Sequence, residues 1–403
     1  MRTSYRPEDV TLLLKDVTGK LEPLDTRARE AKIQSGVHYS EMLPAEYVPT
    51  AKYIEAYDRA LACEADHTAA AVRTCARKIY EQKGKDVVLV SLARAGVPIG
   101  ILLRWYLKKH YGIDAPHYAI SIIRGRGIDH NAMRYLLGRY PAQNLQFVDG
   151  WIGKGAILTE LRKVLADYPG VSTELAVLSD PAGLTTLCGT HEDFLIPSSC
   201  LNSTVSGLIS RTVLRDDLIG TEDFHGAAYY GELSADDRSY EFLNAVAERF
   251  DIAPEFPEIT LTHSGYDEAR TVAEHFGVSD INFVKPGIGE ATRVLLRRLP
   301  WKLLVREDQT DAPELAHLYQ LAKEKGVTVE PYPLKNYKAC GIIKKLADTG
   351  RREPHPIRKV SPAFSKAAGS QGRALSRVPQ DAKLPHSRPK PDKNLSVPAI
   401  FTN

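Results

Sequence analysis

The 403-residue chain has five cysteines, Cys63, Cys75, Cys188, Cys200 and Cys340, and none stands in a C-x-x-C pair. Thiols scattered in this way argue against zinc knuckles and a disulfide framework. Long apolar runs are missing too: the opening MRTSYRPEDVTLLLKD has no signal-peptide core, and no later stretch approaches a membrane span. A cytoplasmic protein with no membrane partner is expected. The net charge is only +3, which gives no global argument for nucleic acid, so charge placement matters more. Two common phosphate motifs are also absent: there is no Rossmann G-x-G-x-x-G, and no Ser or Thr follows Lys154 to complete a Walker loop. Nothing in the sequence points to a tightly bound organic cofactor or specifies an oligomeric state.

What is present is core-forming material, 43% hydrophobic residues in a length that suggests two or three domains. The most informative stretch is LQFVDGWIGKGAIL, residues 145–158. An apolar strand ends at Asp149, Gly150, Gly153 and Gly155 follow with Lys154 among them, and helical spacing resumes at Ala156. Such a strand–loop–helix unit exposes backbone N–H groups at a helix start, where an anion is favoured. The alternative is a tight turn joining a core strand to a helix.

The same grammar occurs earlier. Residues 50–82 have helical spacing, Val87–Val90 reads as a strand, and a helix runs from Ile99 or Gly100 to Lys109. Repetition of this unit points to a parallel α/β sheet with its site at the strand C-termini. Arg94-Ala95-Gly96 occupies the intervening loop, where Arg94 suits diphosphate oxygens. HYAISII, residues 117–123, reads as another strand, and it runs into Arg124 and Arg126, a glycine-spaced cation pair able to close over a polyanion. Leu175–Leu178 is expected as the next strand. Further on, Cys200 lies among small hydroxyl residues; a thiol nucleophile there would need a base, for which His225 with Asp223 is the nearest candidate in sequence. Core packing is the commoner role for such a cysteine.

The loop at Val148, Asp149 and Gly155 resembles the PRPP-binding motif of type I phosphoribosyltransferases, with Gly150 in place of the second acid and Lys154 in place of the threonine. Taken together, SLARAGVPIG, HYAISIIRGRGID, QFVDGWIGKGAI and LIPSSCLNSTVSGLISRT resemble a bacterial family with a phosphoribosyltransferase-like domain fused to a Pelota-type RNA-binding domain. That family is linked to tellurite-resistance and stress-response gene clusters and to making or modifying a ribonucleoside; its members have also been labelled cysteine protease StiP. The resemblance implies a PRPP or related sugar-phosphate substrate, with Asp149, Arg94 and Lys154 as catalytic residues. It assigns Gly150, Gly153, Gly155, Ala95, Gly96, Arg124 and Arg126 to substrate binding, and has Mg²⁺ bridge the diphosphate and the ribose, held indirectly by Asp149. The protease label implies instead thiol attack from Cys200. A third expectation, outside catalysis, is an RNA-binding protein whose first domain senses a nucleotide.

Beyond Val246 the apolar pattern weakens, and Pro254 and Pro257 mark a linker. The expected division is a first domain over 1–253, with its core at about 50–231, a second over 258–349, and a disordered basic tail over 350–403. The second domain reads as an α/β/α sandwich: helix 267–276, strand 281–284, a helix opened by Gly287, strand 301–305, helix 313–325, strand 327–331 and a last helix over 336–346. Gly287, Gly289, Glu290 and Arg293 resemble the signature with which kink-turn-binding and Pelota-type proteins grip RNA, Gly289 replacing an asparagine. Lys335 and Lys338 are the phosphate contacts implied by the same resemblance.

Overall fold

Val88–Leu92 is buried at all five positions, the pattern of a strand covered on both faces. In the computed structural model, which describes residues 1–346 apart from Tyr47 and Pro257, this strand lies inside a six-stranded parallel sheet. Its members are β1 (Thr11–Leu12), β2 (Val88–Leu92), β3 (His117–Ile120), β4 (Leu145–Val148), β5 (Leu175–Ser179) and β6 (Cys188–Thr190), in spatial order β1-β3-β2-β4-β5-β6. The helices are α1 (Thr26–Gln34), α2 (Ala51–Lys83), α3 (Gly96–Tyr111), α4 (His130–Leu137), α5 (Ala156–Leu165) and α6 (Ser239–Ala247). Alternation along the strands sorts them into two layers. Leu89 and Val148 join the core built from α2, α3 and α6, whereas Val88, Val90 and Phe147 join the core of α4 and α5.

Helix α2 begins where the Thr50 hydroxyl accepts from the Tyr53 N–H, and it ends at Gly84, whose φ is +65°. Its run of buried alanines lies so close to β6 that a Cβ on Gly189 would stand 2.5 Å from the Ala71 carbonyl oxygen. The strand expected over 117–123 stops at Ile120. Ile122–Ile123 pairs antiparallel with Gly127–Ile128, which places Arg124 and Arg126 in a hairpin turn.

The second sheet follows α7 (Gly265–His275) and comprises β7 (Val284–Pro286), β8 (Pro300–Arg306), β9 (Thr328–Tyr332) and β10 (Ala339–Ile343), in order β7-β10-β8-β9. β10 is antiparallel to both its neighbours, and β8 is parallel to β9. Helices α8 (Ile288–Arg297) and α9 (Ala316–Lys325) cover one face and α7 the other, giving the expected sandwich. The helix expected over 336–346 is instead β10. All five of its residues are buried in a central position, and Gly341 lets α8 approach, with Val294 and Ala291 within 3.1 to 3.3 Å of where its Cβ would stand.

Residues Met1–Ala347 form one contact unit, so both sheets belong to one body. The tail expected over 350–403 lies outside the described residues. Among those described, no helix is long and apolar enough to cross a membrane.

Candidate active site

The loop after β4 was the leading candidate for a phosphate cradle. Gly155, at φ +87°, opens α5 as expected, but the cations around the loop are held by protein acceptors. Lys154 Nζ donates to the carbonyls of Ile281 and Val284, each at 2.6 Å, and burial lowers its pKa to about 7. Arg94 donates to the Ile209 carbonyl at 2.5 Å and pairs with Glu46 at 3.1 Å, both side chains being buried. Arg124 donates to Asn282 Oδ1 at 2.9 Å; Arg126 donates to the Leu214 carbonyl at 3.1 Å and pairs with Glu41.

The loop glycines serve close packing. A Cβ on Gly153 would lie 3.0 Å from Glu290 Cγ and one on Gly96 would lie 2.4 Å from the Val148 carbonyl, while Gly150 faces the Ala95 carbonyl at 3.7 Å. Asp149 accepts from the Gly150 N–H at 2.8 Å, and burial pushes its carboxyl up to about 6 against that hydrogen bond and Arg293. Among the described residues, no three His, Cys, Asp or Glu side chains stand close enough to share a metal ion.

The residues expected to grip RNA lie largely in the seam between the two sheets. A Cβ on Gly289 would meet the Trp151 ring at 2.6 Å, and the Arg293 guanidinium lies 4.3 Å from the centroid of that ring. Arg293 and Lys285 flank Glu290 at 3.5 and 3.9 Å. Asp193, ahead of the second sheet by some ninety residues of chain, accepts from the N–H groups of Ile288 and Lys338 at 3.0 and 2.8 Å beside Gly287. Lys338 Nζ bridges Glu192 and Glu314 at 2.7 and 2.8 Å. Lys335 is exposed.

Cys75, Cys188, Cys200 and Cys340 are all buried and only Cys63 is exposed, so the thiols differ in their partners. Cys200 is fully buried, its thiol is pushed up to about 12 by burial, and its carbonyl accepts from Tyr53 Oη at 2.8 Å. It lines a cavity of about 180 Å³, and no histidine lines that cavity. His225 is engaged elsewhere: its backbone N–H donates to Asp129 Oδ2 at 2.6 Å and its ring Nδ1 lies 2.9 Å from Ser121 Oγ. Asp223 pairs with Lys15 and accepts from the Gly220 N–H. The structure therefore does not assemble Cys200, His225 and Asp223 into one hydrogen-bonded set.

It assembles another. Cys188, at the start of β6, has its Sγ 3.6 Å from His191 Nε2 and 3.7 Å from Nδ1. Among the described residues no other cysteine has an imidazole in hydrogen-bonding range. Parallel pairing of β5 with β6, with Ser179 opposite Thr190, brings the end of β5 to His191. His191 Nδ1 lies 2.8 Å from the Asp180 carbonyl oxygen and 3.8 Å from Asp180 Oδ2. That carboxylate is fully buried and accepts from the N–H groups of Leu184 and Thr185 at 2.6 and 2.9 Å, which fixes its position. A carbonyl acceptor at Nδ1 selects the tautomer with hydrogen there, leaving Nε2 as the basic nitrogen, with sulfur nearly equidistant from the two ring nitrogens. His191 also lines an open groove of about 450 Å³ with Glu174, Leu184, Thr185 and Leu261. Sequence reading passed over this set, although C-x-x-H at a strand end was a visible signal.

Comparison with known proteins agrees with thiol chemistry. Residues 3–247 match the family described as tellurite-like stress resistance cysteine protease StiP, and residues 263–345 match the PELOTA RNA binding domain. A relative from Acinetobacter baylyi named cysteine protease StiP is 37% identical over 364 residues, covering 85% of this chain and 94% of the relative. These matches overturn the expectation of a PRPP transferase. The geometry accords with that correction: Lys154, Arg94, Arg124 and Arg126 are occupied by carbonyls, carboxylates and an amide, and α8 packs onto the glycine loop.

Proposed function

The chain belongs to the tellurite-like stress resistance cysteine protease StiP family, and from that premise we propose that it cleaves peptide bonds by thiol attack from Cys188. The observation that carries this reading is the contact of Cys188 Sγ with His191 at 3.6 Å, with Asp180 behind the imidazole. Burial pushes the Cys188 thiol up to about 11, so at neutral pH it is protonated and needs a base. His191 Nε2 takes the thiol proton as sulfur attacks the scissile carbonyl. The tetrahedral adduct collapses to a thioester, and the imidazolium returns the proton to the departing amine. Water, deprotonated by the same nitrogen, then hydrolyses the thioester and restores the thiol. Asp180 holds the ring through its carbonyl, and its carboxylate offsets the imidazolium charge. The groove beside His191 is where the peptide enters, so substrate meets the imidazole before the sulfur.

A second reading places the nucleophile at Cys200, which lines its own cavity. The test is capture by a peptidyl vinyl sulfone followed by peptide mapping. Adduct on Cys188, lost in His191→Ala, supports the first reading; adduct on Cys200 supports the second; adduct on neither overturns both. RNA is proposed as a partner of the PELOTA segment, with exposed Lys335 as a phosphate contact. Loss of RNA retention in Lys335→Glu at low salt tests that contact.

A further inference from the structure

Arginines accumulate between α1 and α8 without matching carboxylates. Arg29 is 2% exposed; its Nη2 donates to the Arg297 carbonyl at 2.7 Å, while its Nε has no partner. Ser203 is fully buried, and its hydroxyl also lacks a partner. Both residues line the cavity of about 180 Å³ that Cys200 borders, together with Arg297, Lys325 and Glu46. Two unpartnered polar groups in the wall of one cavity are an unusual cost for a fold to carry.

The charges there do not balance. Glu46 is taken by Arg94 at 3.1 Å and Glu30 by Arg298 at 2.6 Å. Arg297 donates its Nε to Asn202 Oδ1, an amide. Arg211 lies 4.5 Å from the centroid of the Tyr39 ring. Among the described residues, Arg29, Arg211 and Arg297 each lack an ion-pair partner within 4.0 Å. The other wall carboxylate, Glu324, accepts from Gln320 at 3.1 Å. Burial lowers all three guanidinium pKa values, and neighbouring arginines add to the effect, bringing Arg211 to about 9. Clustered cations in a low-dielectric setting repel one another strongly unless an anion joins them.

We propose that this cavity is a binding site for a phosphate dianion, free or as the monoester of a small molecule. Arg29 and Arg297, which line it, are the guanidinium donors toward its oxygens, with Ser203 beside them and the charge of Arg211, outside the lining, repelling Arg29. A dianion answers the excess better than a single carboxylate, and guanidinium groups suit phosphate oxygens through paired N–H donors. The volume admits a phosphate bearing a small organic group but not a nucleic-acid duplex. This site is separate from the Cys188–His191 pair, so its failure and the failure of the Cys188 reading are independent.

Thermal unfolding of the full chain in inorganic phosphate, methyl phosphate or succinate, with chloride holding ionic strength constant, tests the proposal. A saturable rise in Tm with phosphate is expected. Arg211→Gln and Arg297→Gln should each raise the half-saturating concentration at least tenfold. Each variant should also melt above the wild type in phosphate-free chloride, because one half-buried member of a mutually repelling cluster of cations is gone. Saturation by methyl phosphate at equal or lower concentration identifies a monoester site, and saturation by inorganic phosphate alone identifies a free-ion site. An unsaturable rise, equal rises in wild type and variants, or tighter binding of succinate overturns the proposal. Because Arg297 also holds Asn202, Arg211→Gln decides the matter if Arg297→Gln does not fold.

Discussion

Replacing Asp193 by Asn should remove a specific part of the pH dependence of stability. The Asp193 carboxyl is 4% exposed and receives the backbone N–H groups of Ile288 and Lys338, so it caps α8 and the approach to β10 from a distant part of the chain. Burial outweighs those hydrogen bonds and raises its pKa from 3.8 to about 6. A carboxyl whose pKa is higher in the folded than in the unfolded state binds protons more tightly when folded, so its contribution to stability falls as pH rises from about 4 through 6. Holding the proton up to about pH 6 in place of 3.8 corresponds to about 3 kcal/mol, of which about 2 to 3 kcal/mol falls between pH 4 and pH 7. Urea unfolding of wild type and Asp193→Asn at those two pH values measures it. Asp149 titrates in the same window but is common to both proteins, so it cancels in the difference. The wild type should lose about 2 to 3 kcal/mol more than the variant on going from pH 4 to pH 7. Parallel profiles would refute the reasoning.

Three further outcomes follow from the same geometry. Lys154→Met strands the Ile281 and Val284 carbonyls and should lower stability by about 1 to 3 kcal/mol at pH 7, measured by urea unfolding. Because burial depresses the Lys154 pKa from 10.5 to about 7, the wild type should gain on this variant as pH rises from about 7 toward 10. Gly189→Ala drives a methyl to 2.5 Å from the Ala71 carbonyl; a loss of about 1 to 3 kcal/mol in the same assay is expected, and an unchanged midpoint contradicts the close α2–β6 contact. Asp180→Asn keeps the backbone carbonyl at His191 but removes the carboxylate charge; it should lower peptide cleavage about tenfold or more while leaving Cys188 capturable by a vinyl sulfone.

The parallel sheet was legible in the sequence because its strands are apolar on both faces, as Val88–Leu92 and Leu145–Val148 illustrate. Ala339–Ile343 was misread as helix: a short apolar run between lysines suits either periodicity, and only pairing with β7 and β8 decides it. The glycine loop was located correctly, but the partners of Lys154 lie more than 120 positions downstream, where no local pattern reveals them. For the thiols, Cys200 drew attention through its unusual hydroxyl-rich surroundings, whereas Cys188 and His191 are only three positions apart. Their third member, Asp180, reaches them through the β5–β6 register, which is a property of the sheet and not of spacing.

Peptide cleavage by wild type, Cys188→Ser and Cys200→Ser, each shown to be folded, tests the central claim most directly. The account predicts that Cys188→Ser abolishes cleavage and Cys200→Ser retains it. Full activity in Cys188→Ser would contradict the assignment of the nucleophile.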